Sequence, residues 1–303
     1  MYLNRLYQYQ KERFPLLGHG PLIAAFSFSA IGYSRQLRGA DGFIPGGLFL
    51  LCFLTNLSVF FLLRVADEHK DAEDDLKYRP HLPVPRGLVT LKELRVFGLS
   101  LLAITVALNA VYVPQMLPLL ALTLGYLLLM RYEFFIPDWL RRHMGWYMVS
   151  HMFIIPLADI YASGYDWKLQ GALPAVGLLL FFGVSYTNGL VLEIGRKLRA
   201  PESEKPGVET YTQLWGLKFA TFLWLGVLIA NYGLALAALL HAHISGMVPV
   251  LTAFFVLALV PWVLFFRKPT PRHAKLVESF SFVWALAMYL IIGGIPLLLN
   301  LLK

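Results

Sequence analysis

Six of the eighteen acidic residues of this chain lie within nine consecutive positions, Asp67 to Asp75, in the stretch RVADEHKDAEDDLKYRPHLPVPRG. On a helix, Glu68, Asp71 and Asp75 fall within about 60° of one another, because successive residues advance by about 100°. Carboxylates on one face repel each other, and the partial negative charge of a helix C-terminus adds to the repulsion. Mg²⁺ relieves such crowding while keeping positions open for water and phosphate oxygens. The pattern therefore indicates a magnesium site that attracts a diphosphate.

The alternative is a solvated acidic helix end that is neutralised by Lys70, Lys77 and Arg79. Two observations favour the metal site. The acidic spacing repeats along one face, and the run leads into the turn KYRPHLPVPRGLVT, whose prolines stiffen the chain. This turn brings Arg79 and Arg86 to the same region, where their charges suit a phosphate group.

The elements that position these residues are membrane helices. Of the 303 residues, 58% are apolar and 15% are charged, and the mean hydropathy is +0.62. A span of the hydrocarbon core takes about 20 helical residues. The sequence predicts an all-α, multi-pass bundle of about nine such helices, at 17–34, 43–66, 94–113, 115–132, 143–162, 171–193, 214–240, 247–266 and 278–300. The segment before the first span, MYLNRLYQYQKERF, is typical of an interfacial amphipathic helix rather than a cleaved signal peptide.

Lysine and arginine placement predicts a cytoplasmic N-terminus. With nine spans in that orientation, 22 of the 26 lysines and arginines face the cytoplasm, and only Arg35, Arg38, Lys168 and Lys303 do not. The acidic run then lies at a cytoplasmic helix end. The net charge of +8 follows from this topology and from anionic lipids, and no nucleic-acid motif accompanies it. The single cysteine, Cys52, excludes a disulfide framework and a cysteine metal site.

The acidic run resembles the first signature of the UbiA superfamily of intramembrane prenyltransferases, N-D-x-x-D-x-x-x-D followed by an R-P-x-x-P-x-G-like turn. Here it reads Asp67-Glu68-x-x-Asp71-x-x-x-Asp75, then Arg79-Pro80 and Pro85-Arg86-Gly87. Asp replaces the leading Asn and Glu replaces the first Asp, and both replacements keep oxygen ligands.

The second signature of that family, D-x-x-x-D at the end of the sixth helix, is altered in this chain. In YTNGLVLEIGRKLRAPESEKPGVETYTQLWG, Glu193 matches the first aspartate and Lys197 occupies the second position. Lysine exchanges a metal ligand for a direct phosphate donor. We therefore expect Glu193 to help hold Mg²⁺, and Lys197, with Arg196, to contact the diphosphate.

The resemblance implies one membrane-embedded domain over 1–303, with two similar halves whose motif loops lie at 64–92 and 186–214. It also implies Mg²⁺-dependent transfer of a prenyl group from a polyprenyl diphosphate to a lipophilic, typically aromatic, acceptor, in contact with membrane lipids and without nucleic acid. The expected catalytic and metal-binding residues are Asp67, Glu68, Asp71, Asp75 and Glu193. The expected substrate-binding residues are Arg79, Arg86, Lys197, Arg196, Asn188, Tyr186 and Asn56.

Two alternatives stay open. In a terpene cyclase of the same superfamily, the allylic cation that forms when the diphosphate leaves would be quenched within its own prenyl chain. A transporter or a non-catalytic lipid-binding protein would not ionise the prenyl diphosphate. Transporters place ionisable residues at broken helices near the midplane, whereas this acidic run is at a helix end.

Several further positions carry expectations. Asn56, Tyr186 and Asn188 either line the substrate pocket or join helices by hydrogen bonds. Asp159 is expected at the outer interface, and the histidines are not expected to bind metal. Compact loops favour a bacterial inner membrane with the site facing the cytoplasm.

Overall fold

The computed structural model describes residues 2–302, with side chains from Asn4 onward, and these residues form helices joined by short loops without strands. The first seven α-helices are α1 (Tyr2–Arg13), α2 (Leu16–Leu37), α3 (Gly46–Lys70), α4 (Ala72–Tyr78), α5 (Leu91–Tyr112), α6 (Leu117–Arg131) and α7 (Pro137–Arg142). The remaining eight are α8 (Met144–Met152), α9 (Ile154–Trp167), α10 (Leu178–Arg196), α11 (Tyr211–Trp215), α12 (Leu217–His241), α13 (Val248–Arg267), α14 (Pro271–Tyr289) and α15 (Ile295–Leu301). A π-helical turn, Leu290–Gly294, joins the last two.

Eight helical segments within residues 2–302 are long and apolar enough to cross a membrane. The chain is therefore a multi-pass integral membrane protein, as the composition predicts. The predicted span 143–162 differs from the others, since it consists of α8 and α9 in tandem rather than one continuous helix. Pro156 explains the break near Phe153, because a proline has no N–H for the carbonyl of Met152 and its ring clashes with that carbonyl.

The helices pack closely around a common core. The helix α10 packs against α12 and α14, and α2 packs against α9 and the π-helical turn. Gly293 allows α2 to approach the π-helical turn closely, since a Cβ atom at this position would lie 2.2 Å from the carbonyl oxygen of Ser29. Small residues at crossing points allow such close approach between membrane helices.

The predicted N-terminal amphipathic helix is present as α1, and its apolar side packs on the bundle. Tyr9 and Phe14 both make edge contacts with the ring of Phe61 on α3. The exposed side carries ion pairs to neighbouring segments, of which Arg86 to Glu12 is one, with Nη2 to Oε1 at 2.7 Å. This helix therefore lies beside the C-terminal half of α3, next to the acidic run.

Asp159 does not lie at an interface, so that expectation is wrong. Its side chain is fully buried in α9, among helices rather than among lipid headgroups. The acidic residue that lies toward the far end of this helix is Asp166, which accepts hydrogen bonds from Ser34, Arg35 and Arg38. The break within the fifth span and the continuation of α9 to Trp167 move Asp159 toward the middle of the bundle.

Candidate active site

The acidic run lies where α3 ends and α4 begins. The helix α3 continues to Lys70, and the Asp71 N–H still donates to the Asp67 carbonyl at 2.8 Å. The helical hydrogen-bond pattern therefore continues to Asp71 and keeps the acidic residues near one another. The helix α4 begins as a separate element at Ala72. The result is two pairs of carboxylates with different surroundings.

The first pair, Glu68 and Asp75, faces the N-terminal helix. The Glu68 side chain is fully buried and accepts a hydrogen bond from Nε of Arg13. Asp75 is also buried, and its Oδ2 lies 3.8 Å from Nη2 of Arg13 while its Oδ1 lies 3.0 Å from Nη1 of Arg79. Burial raises the pKa of Asp75 above its ordinary value, and the two guanidinium groups oppose that shift. One arginine of α1 thus bridges two of the predicted metal ligands.

The second pair, Asp67 and Asp71, is half-buried and lies near Lys70. Among the described residues, Asp67 forms only long ion pairs, at 3.5 Å to Arg64 and 3.8 Å to Lys70. Asp71 forms no ion pair with any residue of the described range 2–302. Burial raises the pKa of the Asp71 carboxyl, and the neighbouring charge of Lys70 acts against that shift. These two carboxylates are the less engaged ligands of the run.

The second motif lies at the end of α10. Glu193 is buried, and its carboxylate pairs with Nη2 of Arg196 at 2.6 Å and with Nζ of Lys197 at 2.9 Å. The Tyr211 hydroxyl donates to Oε1 of Glu193 at 3.4 Å, and the Lys197 ammonium lies 5.2 Å from the centre of the Tyr211 ring. The lysine in the second motif is therefore held beside the glutamate by contacts within the protein.

A chain of side chains connects the two motifs. The Lys70 ammonium donates to the Tyr147 hydroxyl on α8, and the ring of Tyr147 stacks on His151 with centroids 3.9 Å apart. His151 in turn lies within electrostatic range of Glu193. Arg196 is likewise within range of both Glu193 and Asp67. The two motifs therefore share one end of the bundle, and we call this end, defined by Asp67, Asp71, Glu193, Arg196 and Lys197, the charged rim.

Sequence reasoning missed three residues of this region, Arg13, Glu133 and Tyr147. Glu133 is buried 3.9 Å from Lys70 in a turn where it, Phe134 and Phe135 all have positive φ, between 47° and 62°. Such backbone strain in non-glycine residues is often found at functional sites. The stretches RYEFF and GWYMVSHMF are visible in the sequence, but their aromatic content indicates mainly interface belts and helix packing, with a minority of rings available to stabilise an allylic cation.

Three of the other predicted substrate-binding residues, Arg86, Asn56 and Tyr186, form hydrogen bonds within the protein. Arg86 pairs with Glu12 of α1 rather than with the acidic run. The Asn56 amide donates to Ser27 at 3.0 Å, and the Tyr186 hydroxyl donates to the Val149 carbonyl at 3.1 Å. These contacts match the helix-joining reading of Asn56 and Tyr186. Their contact with substrate stays a prediction.

The rim fits a magnesium ion that a substrate helps to hold. No three His, Cys, Asp or Glu side chains among residues 2–302 converge as a complete metal site. Mg²⁺ commonly takes only one or two carboxylates and completes its shell with water and substrate phosphates. Asp67 and Asp71 offer such oxygens, and Oε2 of the buried Glu68 has no hydrogen-bond partner among the described residues.

Comparison with known proteins identifies the fold. No protein-family model matches the sequence, and no curated protein matches it either. Three solved structures resemble this chain over nearly its whole length. A structure of a digeranylgeranylglyceryl phosphate synthase is 16% identical, covers 97% of this chain and 99% of its own, and has a TM-score of 0.65.

The other two structures are UbiA homologues, each covering 93% of this chain and 98% of its own. The apo structure from Aeropyrum pernix K1 is 17% identical with a TM-score of 0.67. The structure from Archaeoglobus fulgidus, bound to DMAPP and Mg²⁺, is 13% identical with a TM-score of 0.56. The chain therefore has the UbiA fold, which confirms at the level of the fold the resemblance that its motifs indicate.

Proposed function

We propose that this membrane protein catalyses Mg²⁺-dependent transfer of a prenyl group from a polyprenyl diphosphate to a lipophilic acceptor. The observation that carries the proposal is the charged rim, where the carboxylates of α3 and the Glu193–Lys197 pair of α10 lie at one end of an apolar bundle. The fold is shared with a UbiA homologue that is bound to DMAPP and Mg²⁺. We further propose that this end faces the cytoplasm, as the lysine and arginine distribution predicts.

In this proposal Asp67 and Asp71 hold the metal, because they are the least engaged carboxylates of the run. Glu68 can add its Oε2, which has no hydrogen-bond partner among the described residues, whereas Asp75 adds an oxygen ligand only when Arg13 or Arg79 gives up its contact. Bound Mg²⁺ supplies Lewis-acid stabilisation of the leaving diphosphate and a template for its position. Carboxylates alone would repel this group.

Lys197 and Arg196 bind the diphosphate directly in the proposed mechanism. Glu193 holds both cations at 2.6–2.9 Å, so they are oriented before substrate arrives. A diphosphate oxygen can replace one of these contacts without leaving the other cation unpaired. We propose that Glu193 positions these donors in addition to the metal role that its place in the motif predicts. Arg79 also lies at this end, although it pairs with Asp75.

The chemical step breaks the C1–O bond of the prenyl diphosphate, and pyrophosphate leaves with the bonding electrons. The resulting allylic cation lies below the rim, among apolar helices that exclude water. An electron pair of the acceptor then forms the new bond to C1, and the acceptor loses a proton. The isoprenoid chain stays in hydrocarbon throughout.

The test is to incubate the purified protein with Mg²⁺ and a panel of prenyl diphosphates, with and without a membrane lipid extract, and to identify products by mass spectrometry. Pyrophosphate release should require Mg²⁺ and should be lost in the Asp67→Asn/Asp71→Asn double variant. Asp74→Asn is the matched control, because Asp74 is an exposed acidic residue of the same run. Its pyrophosphate release should equal that of the wild type.

The same assay separates the alternatives. Prenylated acceptor that appears only with the lipid extract supports prenyl transfer. Cyclic hydrocarbons without any acceptor would instead assign a terpene cyclase. Full pyrophosphate release by the double variant would refute the proposed metal site.

A further inference from the structure

A cavity of about 570 Å³ lies between the end of α13 and the start of α14. Ligand sites in proteins commonly enclose about 300–1,000 Å³. Its lining combines cationic, hydroxyl and apolar side chains, namely Leu264, Arg272, His273, Lys275, Leu276 and Ser279. The four exposed residues of α14 in this set follow the spacing i, i+3, i+4 and i+7, so they form a single stripe of the helix. We call these six residues the basic cavity.

The basic cavity lies at the same end of the bundle as the charged rim. Nζ of Lys275 lies 3.1 Å from Oε1 of Glu278, and Oε2 of Glu278 lies 3.5 Å from Nη1 of Arg199. Arg199 follows Lys197 of the rim by two residues. The two sites are therefore neighbours, but no residue belongs to both.

The apolar part of the lining lies at the level of the lipid head groups. Leu264 and Leu276 are 39% and 40% exposed, and both belong to segments that are long and apolar enough to cross a membrane. On α13, the ring of Trp262 stacks on the ring of Phe266 with centroids 5.6 Å apart. Tryptophan and other aromatic rings are typical of the membrane interface. A ligand that covers the two leucines is therefore a molecule with an apolar part that lies among the lipids.

The polar part of the lining carries an excess of positive charge. Arg272 forms no ion pair with any described residue, and neither do Arg267 and Lys268 in the adjoining turn. Glu278, the acidic residue that pairs with Lys275, is shared with a second cation. A phosphate group matches such a set, because its oxygens accept several charge-assisted hydrogen bonds at once.

We propose that the basic cavity binds an anionic membrane phospholipid. Its phosphate contacts Arg272 and Lys275, and the first part of its acyl chains covers Leu264 and Leu276. Basic pockets between membrane helices commonly bind the head groups of anionic lipids. Cations that merely set the topology attract such lipids without a defined place, whereas these cations line a cavity with an apolar floor. The inference goes beyond the proposed function and does not depend on it, because it uses no residue of the charged rim.

The experiment is native mass spectrometry of the full-length protein, released from a neutral detergent, with added phosphatidylglycerol or phosphatidylcholine of identical acyl chains. The wild type should bind the first phosphatidylglycerol at least about tenfold more tightly than phosphatidylcholine, because each lysine or arginine near an anionic lipid contributes about fivefold in affinity. Arg272→Gln/Lys275→Gln should weaken the first phosphatidylglycerol at least about tenfold and leave phosphatidylcholine nearly unchanged.

Lys92→Gln/Arg95→Gln is the matched control. Lys92 and Arg95 are also exposed and three positions apart in the first turns of a membrane helix, but they do not line the basic cavity. This double variant removes the same charges and should keep the phosphatidylglycerol affinity within about twofold, because the bound lipid does not contact these side chains.

A second variant tests the cavity without changing any charge. Ser279→Trp places a large ring in the cavity and should weaken phosphatidylglycerol at least about fivefold through steric clash. Ser100→Trp, at an exposed serine of α5, should not weaken it. All the substituted side chains are exposed, so the variants should fold, and thermal unfolding of each preparation verifies this.

Equal loss of phosphatidylglycerol binding in the two double variants would overturn the proposal, because general surface charge would then explain the attraction. Unchanged binding in Ser279→Trp would overturn it as well. Displacement of the bound lipid by an equal concentration of glycerol phosphate would overturn the assignment to a lipid, since a soluble phosphate would then suffice for the site.

Discussion

Replacing Arg13 tests how the N-terminal helix is joined to the acidic run. The Arg13 side chain is 16% exposed and contacts Glu68, whose side chain is 0% exposed, and it also approaches Asp75 at 3.8 Å. Arg13→Met keeps an unbranched apolar stem but leaves the Glu68 carboxylate without its cation. Removing one partner of a buried pair costs about 3–5 kcal/mol. Because Arg13 is partly exposed, we expect the lower end of this range, a loss of about 3 kcal/mol in the free energy of unfolding.

The double variant Arg13→Met/Glu68→Leu should regain most of that loss. It replaces both charges by apolar groups, and such replacements of buried ion pairs are often neutral or stabilising. The pairwise coupling should therefore be about 2 kcal/mol or more, since residues in direct contact do not act additively. No substitution of Asp75 is needed in this double variant, because Nη1 of Arg79, 3.0 Å from Oδ1 of Asp75, still neutralises the charge of that carboxylate.

The assay is reversible unfolding in mixed detergent micelles, followed by the fluorescence of the seven tryptophans. Arg86→Ala is the matched control, because Arg86 joins the same helix through Glu12 with both side chains 34% exposed. Exposed ion pairs contribute little to stability. A single Arg13→Met variant within about 0.5 kcal/mol of the wild type would contradict the reasoning. So would a double variant that is as unstable as the single one.

Three further predictions concern the rim and its supports. Lys197→Ala should weaken the affinity for a prenyl diphosphate by about tenfold or more, because one charged donor is lost, and unchanged affinity and turnover in both this variant and Lys197→Asp would exclude the role. Gly195→Ala should destabilise α10 by about 1–3 kcal/mol in thermal unfolding, since its Cβ would lie 2.2 Å from Oγ of Ser281, whereas Gly226→Ala, with open space around it, should not. The hydrogen bonds from Arg86 lower the pKa of Glu12 below 4.5, so the stabilisation they give is present above that pH and is lost as the pH falls through the lowered value. The protection of α1 against hydrogen exchange, corrected for the intrinsic pH dependence of exchange, should fall on acidification, and Arg86→Ala should reduce this dependence.

Much of the architecture could be predicted from the sequence because hydrophobic length and charge placement are local properties. Runs of about 20 apolar residues indicate spans wherever they occur. The spacing of Asp67, Glu68, Asp71 and Asp75 indicates a shared helix end without knowledge of any neighbour. The break in the fifth span was not predicted, although Pro156 is visible, because prolines within membrane helices do not always interrupt them. The structure itself shows this, since α2 and α13 continue past Pro21 and Pro261.

The sequence by itself determined that this chain is a helical membrane protein with acidic residues at the end of one helix and a glutamate–lysine pair at the end of another. Only the tertiary structure decided which partners these residues have. It divided the acidic run, so that Glu68 and Asp75 contact Arg13 while Asp67 and Asp71 remain less engaged. It also buried Asp159 in the bundle interior. The physical reason is that helical periodicity fixes which residues share a face, whereas ion pairing and burial depend on segments that are distant in the chain and adjacent only after packing.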